Sequence, residues 1–223
     1  MSDALTHECG LAFVRLRKPL AWFQEERGDA LWGLRKLYLL MEKQHNRGQD
    51  GAGIGCVKVG AENGEAFLFR DREIGPQGLT QIFTRQIKAY SDKVREGVIV
   101  PEFPETAKRH FDFGGELLLG HLRYGTSGSF DSVSCHPYAR KSIWPTRNLL
   151  VAGNFNLTNT GELNASLTQR GAHVIYSTDT QSILEEIGFW LDEEHDRLFK
   201  AFKDQGLEGA AVQDRKSTRL NSS

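Results

Sequence analysis

Residues 44–59 read QHNRGQDGAGIGCVKV, and the change of character inside this stretch decides how the chain is built. Upstream, from Asp29 to Gln44, apolar residues at Leu31, Leu34, Leu37, Tyr38 and Met41 recur at helical spacing, with lysines and arginines on the other face and Gly48 soon after. That spacing predicts an amphipathic helix that packs one side. Downstream, GAGIGCVKV over 51–59 reads as a strand whose glycines mark where backbone or side chains come close. Working outward, CGLAFVRL at 9–16 reads as a strand before the helix, and GELLLGHLR (115–123) and RNLLVAGNF (147–155) as two more. Helical signals then return. Asn159 followed by Glu162 resembles a capping box, and STDTQSILEEIGFWL (177–191) places Ile183, Leu184, Ile187 and Leu191 on one face. Residues 61–114, mixing polar residues, the prolines of VPEFPE and weak helical periodicity from Leu79 to Tyr90, read as an insertion between core strands. Strand, helix, several strands and then helices is the order of an α+β protein with sheets covered by helices.

The chain has 223 residues, enough for one large domain with a real core. Lys and Arg number 28 against 29 Asp and Glu, for a net charge of −1, and the two signs are interspersed. No basic stripe invites a nucleic-acid backbone or an anionic membrane. The three cysteines, at 9, 56 and 135, are too few and too scattered for a disulfide framework and form no CxxC. A reducing compartment follows, and a structural zinc site does not. The first ten residues hold Asp3, His7 and Glu8 and no apolar run, unlike a secretory signal. No stretch approaches the roughly 18 apolar residues of a membrane span. These features predict a cytoplasmic protein with neither nucleic acid nor membrane as partner. His7, His45, His121, His136 and His173 share no helix face, and the adjacent Cys135 and His136 chelate poorly, so no metal site is predicted. Cys56, inside a strand pattern, reads as a core residue.

Five stretches carry glycines and polar residues that packing does not require: CG at 9–10, QHNRGQDGAG at 44–53, GHLRYGTSG at 120–128, AGNFNLTN at 152–159 and STDT at 177–180. Singly, each has a plain reading. Arg47 reads as a solvated charge at a helix end, Arg123 as a surface strand residue, Asn154 as a turn former and Asp179 as an acid favoured at a helix N-terminus. As an ordered set they resemble the N-terminal-nucleophile, class II glutamine amidotransferase domain of the amidophosphoribosyltransferase family. QHNRGQDGAGI is similar to that family's QHRGQDSAGI with one extra residue, Asn46. The resemblance covers roughly residues 9–60 and 115–190.

The resemblance implies a chemistry for Cys9. Hydrolysis of the glutamine amide needs a nucleophile, a base for its proton and donors for the tetrahedral oxyanion. A cysteine at the start of a processed chain supplies its thiolate and an α-amino group whose ordinary pKa of about 7.7–8 suits proton transfer near neutral pH. In the family the chain is cleaved before Cys-Gly, often after an acidic residue, and Glu8-Cys9-Gly10 matches that junction. Carried over residue by residue, Arg123 matches the arginine that holds the glutamine α-carboxylate, for which a planar bidentate fork suits better than lysine. Asp179 matches the acid that receives the α-ammonium, and Asn154 the oxyanion-hole asparagine. Arg47 matches the arginine beside the nucleophile, and Tyr124 and Thr126 lie in the loop that closes over glutamine. Where the family reads HNGNLTN this chain reads GNFNLTN, with Gly153 in place of the histidine and Phe155 in place of a glycine whose N–H is the second oxyanion donor. Were that position to need φ above zero, Phe155 would be strained by about 1–3 kcal/mol.

The implied fold is an α+β four-layer αββα sandwich of the N-terminal-nucleophile hydrolase type, truncated at its C-terminal end. Residues 1–8 then read as a propeptide and 9–214 as an incomplete class II glutamine amidotransferase domain. Residues 215–223, RKSTRLNSS, resemble translated adaptor sequence and read as a non-native tail. The implied function is glutamine amide hydrolysis supplying ammonia for 5-phosphoribosylamine synthesis from phosphoribosyl pyrophosphate, the first step of de novo purine biosynthesis. Glutamine is the implied substrate of this chain, with no cofactor. Phosphoribosyl pyrophosphate and Mg2+ belong to a separate phosphoribosyltransferase domain whose phosphate-binding loop is not among these residues, and a homo-oligomer is implied for the complete protein. Two other readings stay open at this level: the glutaminase domain of another amidotransferase, and a non-catalytic or regulatory module.

Overall fold

The computed structural model describes residues 8–62, 64–125, 135–175 and 178–207. The expected propeptide, apart from Glu8, the expected tail and Thr126 lie outside the described residues. The chain divides into two units. The first runs to Pro137 and takes in Ala152–Asn154; the second comprises Tyr138–Val151 and the chain from Phe155 onward.

The first unit is a four-stranded antiparallel sheet with helices on one face. Its strands are β1 (Gly10–Arg15), β2 (Gly51–Val57), β3 (Leu68–Ile74) and β4 (Leu117–Arg123), in the spatial order β1-β4-β2-β3. Its helices are α1 (Leu20–Arg27), α2 (Trp32–Glu42), α3 (Gly78–Arg95) and α4 (Pro104–His110). The helix expected over 29–44 is therefore α2, and the strands expected at 9–16, 51–59 and 115–123 are β1, β2 and β4. α2 lays Leu34, Leu37 and Met41 on the sheet. Each such buried side chain contributes about 1.5–3 kcal/mol relative to exposure. Glycines on the sheet and on the helix let the two approach: an added Cβ at Gly120 of β4 would run into Met41, and one at Gly33 of α2 would come within 3.1 Å of Leu118. Opposite them in β2, Ala52, Ile54 and Cys56 are buried on the same face. Burial pushes the Cys56 thiol up to about 12, so it stays protonated and serves as core.

Residues 61–114 are not an insertion. They supply β3, which completes the sheet beside β2, and α3, which covers it with Leu79, Ile82, Phe83 and Gln86. The strand is hard to read because LFRDREI alternates charge with charge, and the charges are paired within the fold. Arg85 of α3 donates to both carboxylate oxygens of Asp71 at 2.8 and 3.0 Å and to Glu73 at 3.0 Å, and Gln86 donates to Asp71 at 2.5 Å. On the other face Arg72 and Arg70 donate to the carbonyls of Cys135 and Pro137, at 2.9 and 3.4 Å.

The second unit joins a short hairpin, β5 (Tyr138–Arg140) and β6 (Leu149–Val151), to α5 (Thr160–Gln169) and the long α6 (Asp179–Asp204). The strand expected over 147–155 thus shrinks to three residues. The buried seam of α6 includes Leu184, Gly188, His195, Leu198 and Phe202 at spacings of three, four and seven, and Ile187 falls outside it, 40% exposed. Gly188 explains the shift: Arg140 crosses the helix there, within 2.8 Å of where a Cβ would stand, and pairs with Asp192. Asn159 stands at the N-cap of α5, but its side chain makes no capping hydrogen bond there. Asp179 accepts from the Leu157 N–H at 2.6 Å and from the Thr160 hydroxyl at 2.8 Å, tying the start of α6 to the segment that leads into α5.

Candidate active site

Cys9 is half-buried and stands one residue before β1. Because Gly10 pairs with Leu122, the antiparallel register brings Cys9 to the end of β4, where Arg123 and Tyr124 lie. The Tyr124 N–H donates to the Cys9 Sγ at 3.5 Å, and the Tyr124 carbonyl lies 3.8 Å from it. β1 is an edge strand, and its free edge is held by a side chain instead of a strand. Gln44 accepts from the Leu11 N–H at 3.2 Å and donates to the Leu11 carbonyl at 3.1 Å, mimicking a strand partner two residues from the thiol.

Arg123 is buried, at 9% exposure, which excludes the plain reading of a surface strand residue. Its carbonyl accepts from the Asp50 N–H at 3.0 Å, and the Asp50 carboxylate accepts from the Gly125 N–H at 2.7 Å. Asp50 therefore clamps the segment 123–125 from both sides, and Tyr124 in the middle of that segment touches the thiol. Residues 47–50 can lie this close because Gly48 has no side chain: a Cβ there would come within 2.7 Å of the Leu122 carbonyl. Neither Gln44 nor Asp50 was singled out in the sequence, although both sit in QHNRGQDGAG; the signal available was a carboxylate and a carboxamide flanking a glycine turn between helix and strand. Asp50→Ala is expected to lower stability by about 1–3 kcal/mol, the range for a hydrogen bond to a charged acceptor and the donor left behind. Asp50→Asn should recover most of it, because the amide oxygen still accepts. Urea unfolding of the two variants checks this.

Arg47 is half-exposed and pairs at 2.7 Å with Glu8, the residue before Cys9. Asn154 is exposed and belongs to the first unit, and the residue before it, Gly153, donates its N–H to Nδ1 of His136 at 3.4 Å. Phe155 and Asp179 belong to the second unit. Phe155 is 37% exposed and its φ is not positive, so the strain expected for a bulky residue there does not arise. Asp179 already accepts two hydrogen bonds, from Leu157 and Thr160. A carboxylate has about four lone-pair sites, so it retains capacity for a further donor.

Two histidines of the first unit pack together. His121, on β4, is 1% exposed, and its ring centroid is 4.3 Å from that of His136. Burial pushes His121 down to about 3 and His136 to about 4; for His121 the neighbouring His136 adds to the effect, and for His136 the positive charges of Arg123 and Arg72 do. Both rings are neutral at pH 7. Among the described residues no group of three or more His, Cys, Asp and Glu side chains could hold a metal ion, all three cysteines are free, and no helix is long and apolar enough to cross a membrane.

No family model matches the chain. It is 36% identical over 85 residues to the amidophosphoribosyltransferase of Synechocystis, covering 37% of this chain and 16% of that protein. It is 27% identical over 185 residues to amidophosphoribosyltransferase 3, chloroplastic, of Arabidopsis thaliana, covering 83% of this chain and 26% of the relative. A third likeness, 33% over 81 residues, is to the amidophosphoribosyltransferase of Methanocaldococcus jannaschii, covering 36% and 16% of the two chains. Among solved structures, the glutamine phosphoribosylpyrophosphate amidotransferase of B. subtilis, complexed with ADP and GMP, is similar with a TM-score of 0.44 and 22% identity, over 84% of this chain and 30% of that one. The chain spans about a quarter or less of the length of these curated relatives. The sequence likenesses share one name, amidophosphoribosyltransferase, across a cyanobacterium, a plant and an archaeon.

Proposed function

We propose that this chain is the glutamine-hydrolysing part of an amidophosphoribosyltransferase, releasing ammonia for the synthesis of 5-phosphoribosylamine in purine biosynthesis. The observation that carries the reading is the Cys9 thiol held against the Tyr124 backbone, next to the buried Arg123. Cleavage between Glu8 and Cys9 gives the thiol an α-amino group on its own residue. The amine takes the thiol proton, the thiolate attacks the side-chain carbonyl of glutamine, and a tetrahedral oxyanion forms. Asn154 and the Phe155 N–H serve as its donors. Collapse returns the proton to the leaving nitrogen, ammonia departs and a γ-glutamyl thioester remains. Water, deprotonated by the same amine, then attacks the thioester, freeing glutamate and the thiol.

Arg123 holds the α-carboxylate of glutamine and Asp179 its α-ammonium, so a free amino acid is gripped at both charges and a protein-bound glutamine is not. Phosphoribosyl pyrophosphate and Mg2+ act in this reading on a further domain, and no step on these residues uses a metal. The reading takes the first unit's sheet as one inner layer of a four-layer αββα sandwich. Leu11 and Phe13, 48% and 57% exposed, lie on the sheet face opposite α2 and support a second layer packing there. A thiol nucleophile fits a reducing compartment, cytoplasmic in our reading.

Glutamine-dependent ammonia release by the processed protein tests the reading, with Arg123→Leu as its sharpest variant. We expect the KM for glutamine to rise at least about tenfold, since a charge-assisted bidentate contact is lost. Melting temperature and kcat should change far less. Equal KM in the variant and the unaltered protein would rule the assignment out.

A further inference from the structure

We propose that His136 is a positioning residue for Asn154: its Nδ1 accepts the Gly153 N–H at 3.4 Å and so fixes where the carboxamide of the next residue stands. The anchor is the better-held partner of the two. The backbone of His136 rests on the sheet directly over Gly53, where even a Cβ would overlap its carbonyl oxygen. On either side, Arg72 holds the Cys135 carbonyl at 2.9 Å and Arg70 the Pro137 carbonyl at 3.4 Å. The imidazole itself packs against the buried ring of His121. Asn154, by contrast, is exposed and makes no side-chain hydrogen bond among the described residues. The place of its side chain is therefore set through the backbone at Gly153, a buried residue with no side chain of its own to compete for the contact.

The acceptor role requires an unprotonated Nδ1, because an imidazolium has only donors. Burial and the charged groups facing the ring work in that direction: Arg123 from β4 and Arg72 from β3 disfavour a second positive charge, and the facing His121 is itself neutral. Relative to a histidine in the unfolded chain, near 6.5, this neutral state contributes stability that is present above pH 6.5 and lost as the pH falls toward about 4.

The effect on rate rests on the glutaminase reading; the hydrogen bond does not. Three measurements on the full, processed protein separate them: the 15N shift of His136 Nδ1, hydrogen exchange at the Gly153 amide, and glutaminase kcat and KM. Unaltered protein should show Nδ1 unprotonated and Gly153 protected. His136→Leu, which keeps bulk and removes the acceptor, should speed Gly153 exchange and lower kcat about tenfold or more while KM stays within about twofold, as for a displaced oxyanion donor. His136→Asn, which returns a carbonyl oxygen to the δ position, should restore both. A protonated Nδ1 in the unaltered protein overturns the proposal without any variant. So does Gly153 exchange unchanged by His136→Leu, or faster exchange with unchanged kcat. Absence of glutaminase activity in the unaltered protein counts instead against the proposed function, and the Nδ1 and exchange results still decide the anchor.

Discussion

Cys9→Ala in the processed protein is expected to hydrolyse glutamine at less than about a thousandth of the unaltered rate, since removing a covalent nucleophile also removes the step that splits the reaction in two. Alanine keeps the α-amino group and leaves the rest of the site in place. The base remains, and only the attacking atom is gone. Stability should change little, because Cys9 precedes β1 and its contacts near Tyr124 are long, at 3.5 and 3.8 Å. Glutamine should still bind, its charged ends being held elsewhere. The check is glutamate and ammonia release alongside glutamine affinity by calorimetry. A residual rate above about a tenth of the original, less than 1.4 kcal/mol of lost transition-state stabilisation, would place the nucleophile elsewhere.

Gly53→Ala should be the most damaging small substitution in the first unit. A Cβ there would overlap the carbonyl oxygen of His136 and lie 2.9 Å from its carbonyl carbon and 3.2 Å from the Arg72 side chain. The first two obstacles are backbone, and that backbone is held from both sides by Arg70 and Arg72. Overpacking of this kind costs about 1–3 kcal/mol, and a contact with fixed backbone belongs at or above the upper end. Gly161→Ala makes the control. It lies in α5 with nothing within 4 Å of an added Cβ. Removing a glycine from a helix there should stabilise by about 0.5–1 kcal/mol. Denaturant midpoints of the two variants, moving in opposite directions, check both statements; a Gly53→Ala midpoint equal to that of the unaltered protein would mean that residues 135–137 do not rest on the sheet.

These two glycines also mark what can and cannot be read along the chain. Helical periodicity identifies α2, whereas β1, β2 and β4 read as short apolar runs of strand length, and the glycines of 51–55 announce a close approach. What approaches Gly53 is the carbonyl of His136, more than eighty positions away, and no local pattern names it. β3 fails the same test for a different reason. Its charges find partners on both faces, Arg85 above and the carbonyls of 135 and 137 below, so a half-buried edge strand is written in residues that read as surface.

The candidate site shows the same division. Motif resemblance singles out Cys9 and Arg123, and the register of β1 on β4 brings them to one end of the sheet. Asp50 and Gln44 escape notice because each acts on backbone, at Gly125 and Leu11, where partner identity leaves no trace in sequence. The strain foreseen at Phe155 is absent, since its φ is not positive. Asp179 carries a second duty that its motif does not disclose, tying the start of α6 to the segment that leads into α5. Thr126 lies outside the described residues.

In the proposed function Cys9 works as the first residue of a processed chain, its own amine serving as the base. The direct measurement is intact mass spectrometry of the protein, fraction by fraction, against glutaminase activity in each fraction. Activity is expected to follow only the species beginning at Cys9, and protein retaining Glu8, paired with Arg47 at 2.7 Å, is expected to release no ammonia. Full activity in protein still carrying residues 1–8 would contradict it.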